Sequence, residues 1–189
     1  MPGTEPLTDD PRPDGLRNAE SLVLLLTGDG KGKSSSAFGM VMRSVARGWR
    51  VGVIQFIKSG DWQVGEQKVA EDLGVTWMSL GAGFTWDSEN IEHDRRLAQE
   101  AWLTAAGIID SGEFDLVVLD EITYLASWKW VDVGAIVETV TNRPPHVNIV
   151  CTGRDALPQL IEMADTVTSM TKIKHAYDRG IAAKRGIDY

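Results

Sequence analysis

The chain has 189 residues, room for one domain with short extensions. Its 27 acidic and 19 basic residues leave a formal net charge of −8. That argues against a general nucleic-acid binder, whose affinity comes from Lys and Arg neutralising phosphates, while leaving room for a local basic pocket around a small anion. Hydrophobic residues make up 43%, enough for a full core and too many for a disordered chain. The single cysteine, Cys151, excludes an internal disulfide and a cysteine-rich metal site and suits a reducing cytosol.

Residues 1–20 hold four of the seven prolines and several acids, and read as a polar leader that orders only by docking. The leader has neither the basic n-region nor the apolar h-region of a secretory signal, and no apolar run approaches the roughly 18 residues of a spanning helix, so a cytoplasmic protein without a membrane partner is expected. From residue 21 onward, apolar strands alternate with helical stretches. Residues 21–27 (SLVLLLT) form a continuous apolar run, as in a strand buried on both faces. Residues 34–47 read as a helix, with Phe38, Val41, Met42 and Val45 on one face. A second strand at 50–56, a short helix at 66–73 and a third strand at 75–80 follow. GAGF at 81–84 opens a loop, and a long helix spans about 89–110. A fourth strand at 113–119 ends at Asp120. A helix at 133–142 is stopped by Pro144 and Pro145, which cannot continue it. A fifth strand at 147–151, a helix at 157–164 and a sixth strand at 166–170 complete the alternation, ahead of a basic, partly helical tail at 172–189. Such alternation implies an α/β fold with a mostly parallel six-stranded sheet covered by helices on both faces.

The first strand leads directly into TGDGKGKSSS, residues 27–36. A Walker A loop is G-x-x-x-x-G-K-[ST] between a strand and a helix. Gly32, Lys33 and Ser34 fit it; the first position is Thr27, with Gly28 one residue later. Loop glycines let backbone N–H groups turn toward phosphate oxygens, and the following helix adds its positive end. The candidate phosphate-binding set is therefore Thr27, Gly28, Asp29, Gly30, Lys31, Gly32, Lys33, Ser34 and Ser35. Lys33 supplies a point charge, and the Ser34 hydroxyl suits Mg²⁺, a hard ion that prefers oxygen. The second half of a nucleotide site is DLVVLDE, residues 115–121. Asp120 and Glu121 close an apolar strand at the edge that faces ligands in a doubly wound sheet. One carboxylate can hold a metal directly or through water, and the other is a second ligand, a polariser or a helix cap.

Five segments narrow this P-loop reading: TGDGKGKSSSAFGM (27–40), GAGFTW (81–86), LDEITYLASW (119–128), CTGRDALPQLIEMAD (151–165) and KIKHAYDRGIAAKRGIDY (172–189). Together they resemble the P-loop-type ATP:corrinoid adenosyltransferases, in order from about Leu22 to Tyr189, including the Thr in place of the first Walker glycine. The resemblance implies a single RecA-like P-loop domain over 21–189. It implies transfer of the 5′-deoxyadenosyl group of ATP to the cobalt of a reduced corrinoid, with release of triphosphate. It further implies a requirement for Mg²⁺ or Mn²⁺, a homodimer, a separate electron-donating flavoprotein reductase, and a place in cytoplasmic adenosylcobalamin synthesis and salvage.

The residues are compatible with that chemistry. Cobalt(I) is itself the nucleophile, so no Ser, Cys or His nucleophile is needed; Cys151 ends an apolar strand, and His93, His146 and His175 lack metal-ligand spacing. Lys31, Lys33, the loop amides and the metal would neutralise charge growing on the triphosphate. By resemblance, Phe84 and Trp86 press on the lower corrin face and expel the axial ligand, giving four-coordinate cobalt(II) that is easier to reduce. On the residues alone, the pair reads more simply as a hydrophobic plug in a core loop. Arg154, past the fifth strand, reaches either ribose and phosphate or a surface partner, and Glu66 either approaches ATP or serves as an N-terminal helix acid. In the tail, Lys172, Lys174, His175, Lys184 and Arg185 read more simply as a solvated basic face than as a corrinoid rim. The rival functions are a P-loop kinase or ATPase, a non-enzymatic corrinoid carrier with ATP as ligand, and a nucleic-acid motor; the absence of a basic stripe opposes the last.

Overall fold

The computed structural model describes residues 8–10, 12–57, 65–81 and 90–188. Among these residues, six strands form one sheet: β1 (Val23–Thr27), β2 (Val51–Gln55), β3 (Thr76–Ser79), β4 (Leu116–Asp120), β5 (Asn148–Thr152) and β6 (Thr166–Ser169). Their spatial order is β3-β2-β4-β5-β1-β6, and every pairing is parallel. The sheet is thus all-parallel, a stricter arrangement than the sequence implies. Among the described residues, six α-helices connect and cover it: α1 (Lys33–Val45), α2 (Gly65–Asp72), α3 (Ile91–Ser111), α4 (Ile122–Ser127), α5 (Val133–Thr141) and α6 (Pro158–Met163).

Alternation along each strand divides the core in two, because successive side chains point to opposite faces. Val23 and Leu25 of β1, Val117 and Leu119 of β4, and Ile149 and Cys151 of β5 pack with α3, α4, α5 and α6. Leu26, Val118 and Val150 face the other way, onto Ala37, Phe38 and Val41 of α1 and Ala70 of α2. The central strands have both faces covered, so they read as unbroken apolar runs. β6 lies at an edge and all four of its residues are exposed.

Differences from the sequence reading fall at element ends, at one short helix after Asp120 and in the tail. β1 begins at Val23; just before it, the Leu22 N–H donates to the Asn148 side-chain oxygen at 2.9 Å rather than to a strand carbonyl. α4 is a two-turn helix that sequence periodicity does not separate from the loop after Asp120. The tail contains a single 3₁₀ turn, Tyr177–Arg179, and is otherwise irregular. Among the described residues, no helix is long and apolar enough to cross a membrane.

Candidate functional site

The phosphate loop joins β1 to α1 at the carboxyl edge of the sheet. Thr27 stays in the strand opposite Ser169, and its carbonyl accepts the Met170 N–H at 2.8 Å. The left-handed turn comes one residue later, at Gly28 (φ 92°). There the backbone runs so close to β6 that an added Cβ would lie 2.5 Å from the Met170 carbonyl oxygen. This explains the displaced glycine: the strand is one residue longer, so the residue that must be free of a side chain is 28, not 27. The Gly30 N–H then donates to the same Met170 oxygen at 2.7 Å, tying the loop to the end of β6.

Lys33 opens α1 and turns back over the loop, donating to the carbonyls of Gly28 (2.8 Å) and Gly30 (2.7 Å). Its pKa is lowered, first by burial and then by the nearby Arg154 charge, with Asp29, Glu121 and Asp120 pulling the other way. All four charged neighbours belong to the candidate set, so the structure brings the loop, the acid pair and Arg154 around one ammonium group.

Asp120 and Glu121 occupy different environments. Asp120 ends β4 and is fully buried. Its Oδ2 accepts from Gln55 Nε2 of β2 at 3.0 Å and its Oδ1 from Thr152 Oγ1 of β5 at 2.7 Å. Glu121 takes the left-handed conformation (φ 68°) just before α4, and its backbone N–H donates to the same Thr152 oxygen at 2.9 Å. The next residues are also linked: Thr123 Oγ1 donates to the Arg154 carbonyl at 2.5 Å. Between them sits Gly153 (φ 137°), where an added Cβ would lie 2.0 Å from Thr123 Oγ1.

These parts line one pocket of about 570 Å³, within the usual range of ligand sites. Residues 29–35, Glu66, Glu121 and Arg154 all border it. Tyr124 and Trp128 of the α4 region form another wall, with rings stacked at 5.0 Å. Burial raises the Tyr124 pKa. The C-terminal segment adds His175, Ile187 and Asp188 to the lining, the last paired with Lys31. A neighbouring apolar hollow of about 420 Å³ between α1 and α2 shares Phe38, Glu66 and Ile187 with it. Of the tail cations, Lys172 pairs with Asp178 at 3.1 Å, and His175 accepts the Tyr177 N–H, as befits a largely solvated face.

The structure brings residues 29–35, Glu66, Glu121 and Arg154 to one pocket, with Asp120 buried beside Glu121, while Phe84 and Trp86 lie outside the described residues. Sequence reasoning passes over Gln55, Thr152, Thr123, Tyr124, Trp128 and the tail's contact with the loop. One signal was available: Gln55 and Thr152 each end an apolar strand with a polar side chain at the ligand-facing edge.

A glycine-bearing phosphate loop and an acid pair, on strands separated by one intervening strand of a parallel sheet, define a RecA-like P-loop nucleotide-binding protein. Comparison with known proteins makes this specific. Residues 19–189 match the family described as ATP:corrinoid adenosyltransferase BtuR/CobO/CobP, and the chain belongs to that family. The corrinoid adenosyltransferase of Escherichia coli (strain K12) is 37% identical over 180 residues, covering 95% of this chain and 91% of that protein. Corrinoid adenosyltransferase CobA of Salmonella typhimurium is 36% identical with the same coverage. The Pseudomonas aeruginosa corrinoid adenosyltransferase is 39% identical over 92% of this chain and 86% of its own length.

Proposed function

We propose that this protein transfers the 5′-deoxyadenosyl group of ATP to the cobalt(I) of a corrinoid and releases triphosphate. The observation that carries the reading is the convergence of the phosphate loop, Lys33, Glu121 and Arg154 on one pocket in a chain of this family. The loop amides and Lys33 hold the triphosphate and absorb the charge it gains as the carbon–oxygen bond breaks. Arg154 adds a further cation to the same pocket. Because cobalt(I) brings the electron pair, the protein's own work is alignment: the ribose carbon must face the metal with the triphosphate held behind it. That division of labour agrees with the state of Cys151, fully buried with its pKa pushed up to about 12, which makes it no nucleophile.

The donor set fits Mg²⁺ or Mn²⁺. The Ser34 hydroxyl and the Glu121 carboxylate both border the pocket, and Asp120 lies just beneath, with its two oxygens already accepting hydrogen bonds. No cluster of three His, Cys, Asp or Glu suited to a metal occurs among the described residues. Mg²⁺ is usually bound by one or two carboxylates together with substrate phosphates. The ion would supply charge neutralisation on the leaving triphosphate. We assign Ser34 and Glu121 as direct ligands and Asp120 to support through water. Phe84 and Trp86 are assigned the corrin side, as axial-ligand displacers. A homodimer, a flavoprotein reductase as electron donor and a cytoplasmic site complete the proposal.

The test mixes the protein with Mg-ATP and a chemically reduced corrinoid. The cobalt(I) absorbance should decay and triphosphate should accumulate mole for mole with the alkylated product. Release of ADP instead would indicate a kinase or ATPase, and binding of both ligands without carbon–cobalt bond formation would indicate a carrier.

A further inference from the structure

The two pocket residues of opposite charge, Glu121 and Arg154, come from different strands, and both strand ends meet at one buried hydroxyl. Thr152 is fully buried and its Oγ1 has two tasks at once. It donates to Asp120 Oδ1 at 2.7 Å and accepts from the Glu121 N–H at 2.9 Å. A hydroxyl offers one donor and two acceptor sites, so it can serve the carboxylate and the amide together; no apolar side chain and no carboxylate could do both. The amide it holds belongs to a residue in the left-handed region, a conformation that a non-glycine residue keeps only when its surroundings impose it.

We propose that Thr152 is a positioning residue for the transfer reaction. Acting through the Glu121 backbone and Asp120, it fixes the direction in which the Glu121 carboxylate meets the divalent metal–triphosphate. This rests on the metal assignment above and adds a residue to it. Gln55 provides the built-in control. It donates to the other oxygen of Asp120 at 3.0 Å and accepts from Ser79 Oγ at 3.3 Å. Both residues share the burden of satisfying a buried carboxylate, but only Thr152 also grips the neighbouring amide.

The experiment measures Mn²⁺ binding in the presence of ATP, from the free-Mn²⁺ electron paramagnetic resonance signal, alongside thermal unfolding without ligand. Thr152→Val keeps the shape and removes the hydroxyl, and should weaken Mn²⁺ binding by roughly 10–100-fold, the usual cost of losing a group that orients a metal ligand. Thr152→Ser should restore it. Gln55→Leu should lower the unfolding temperature yet leave Mn²⁺ affinity within about threefold of wild type, well below that cost. If the valine variant does not fold, the serine and alanine variants form the same comparison, since they differ only in the hydroxyl. Wild-type affinity in folded Thr152→Val, no recovery in Thr152→Ser, or an equal loss in Gln55→Leu would each overturn the proposal. No corrinoid is present, so a failure of adenosyl transfer in the assay above would be read separately from these outcomes.

Discussion

Lys33 is where charge, burial and loop geometry meet. It bonds two loop carbonyls, and burial lowers its pKa, so its protonated form is held at a cost that an incoming triphosphate would relieve. Lys33→Ala should weaken ATP binding by about 10–150-fold, the equivalent of a charge-assisted hydrogen bond worth roughly 1.5–3 kcal/mol. Calorimetric titration with ATP checks the binding loss, and single-turnover transfer should be abolished. The acid pair separates by environment. Glu121→Gln keeps the shape and removes the charge at the pocket wall, so its transfer rate should saturate only at higher Mg²⁺; an unchanged Mg²⁺ profile would make Glu121 structural. For Phe84 and Trp86 the prediction is a split between steps. Alanine at either position should collapse activity driven by a reduced flavoprotein and return much of it when cobalt(I) is supplied chemically, with ATP affinity barely moved. Equal impairment with both electron sources, in a variant that still unfolds cooperatively, would remove the axial-ligand role. The sequence places these aromatics only through resemblance, because a Phe and a Trp two positions apart carry no periodicity that tells a ligand contact from a plug.

At the level of elements, the loops after β4 and β5 are fastened by two hydroxyls, Thr152 and Thr123, around Gly153. Gly153→Ala should cost about 1–3 kcal/mol, because φ 137° is strained for any residue with a Cβ and the new atom would run into Thr123 Oγ1. Adding Thr123→Ala should recover only part of that loss, since it relieves the contact and not the backbone strain. A double-mutant cycle by denaturant unfolding measures the two contributions, and simple additivity would dismiss the contact. This fastening was not legible in the sequence. CTGRDAL and LDEITYL lie some thirty residues apart, and nothing in either segment states that a strand-end hydroxyl of one will meet a strand-end acid of the other. The strands themselves were legible because burial on both faces leaves unbroken apolar runs. Their ends shifted by one to three residues because hydrogen bonding, not hydropathy, decides where a ladder stops.

Across the whole molecule, the central strands are sealed between the two helical layers, and Cys151 reports on that seal. With its thiol fully buried and its pKa near 12, a thiol reagent at pH 8 should label the folded protein only through unfolding. Denaturant should accelerate labelling, and saturating ATP should slow it; fast labelling without denaturant would mean that the sheet opens locally. The linkage sign agrees: the unfolded thiol ionises first, so this group lowers stability as pH rises from about 9 toward 12. By itself, the sequence determined the alternation of elements, the phosphate loop, the acid pair and the family, because each is written in contiguous residues: strand hydropathy, glycine and lysine spacing, and ordered motifs. Only the tertiary structure decided which strand lies between loop and acid pair, why the first loop glycine sits at 28, and which buried hydroxyl joins the two halves of the site. Those answers depend on strand order and register, and these arise from packing between segments far apart along the chain.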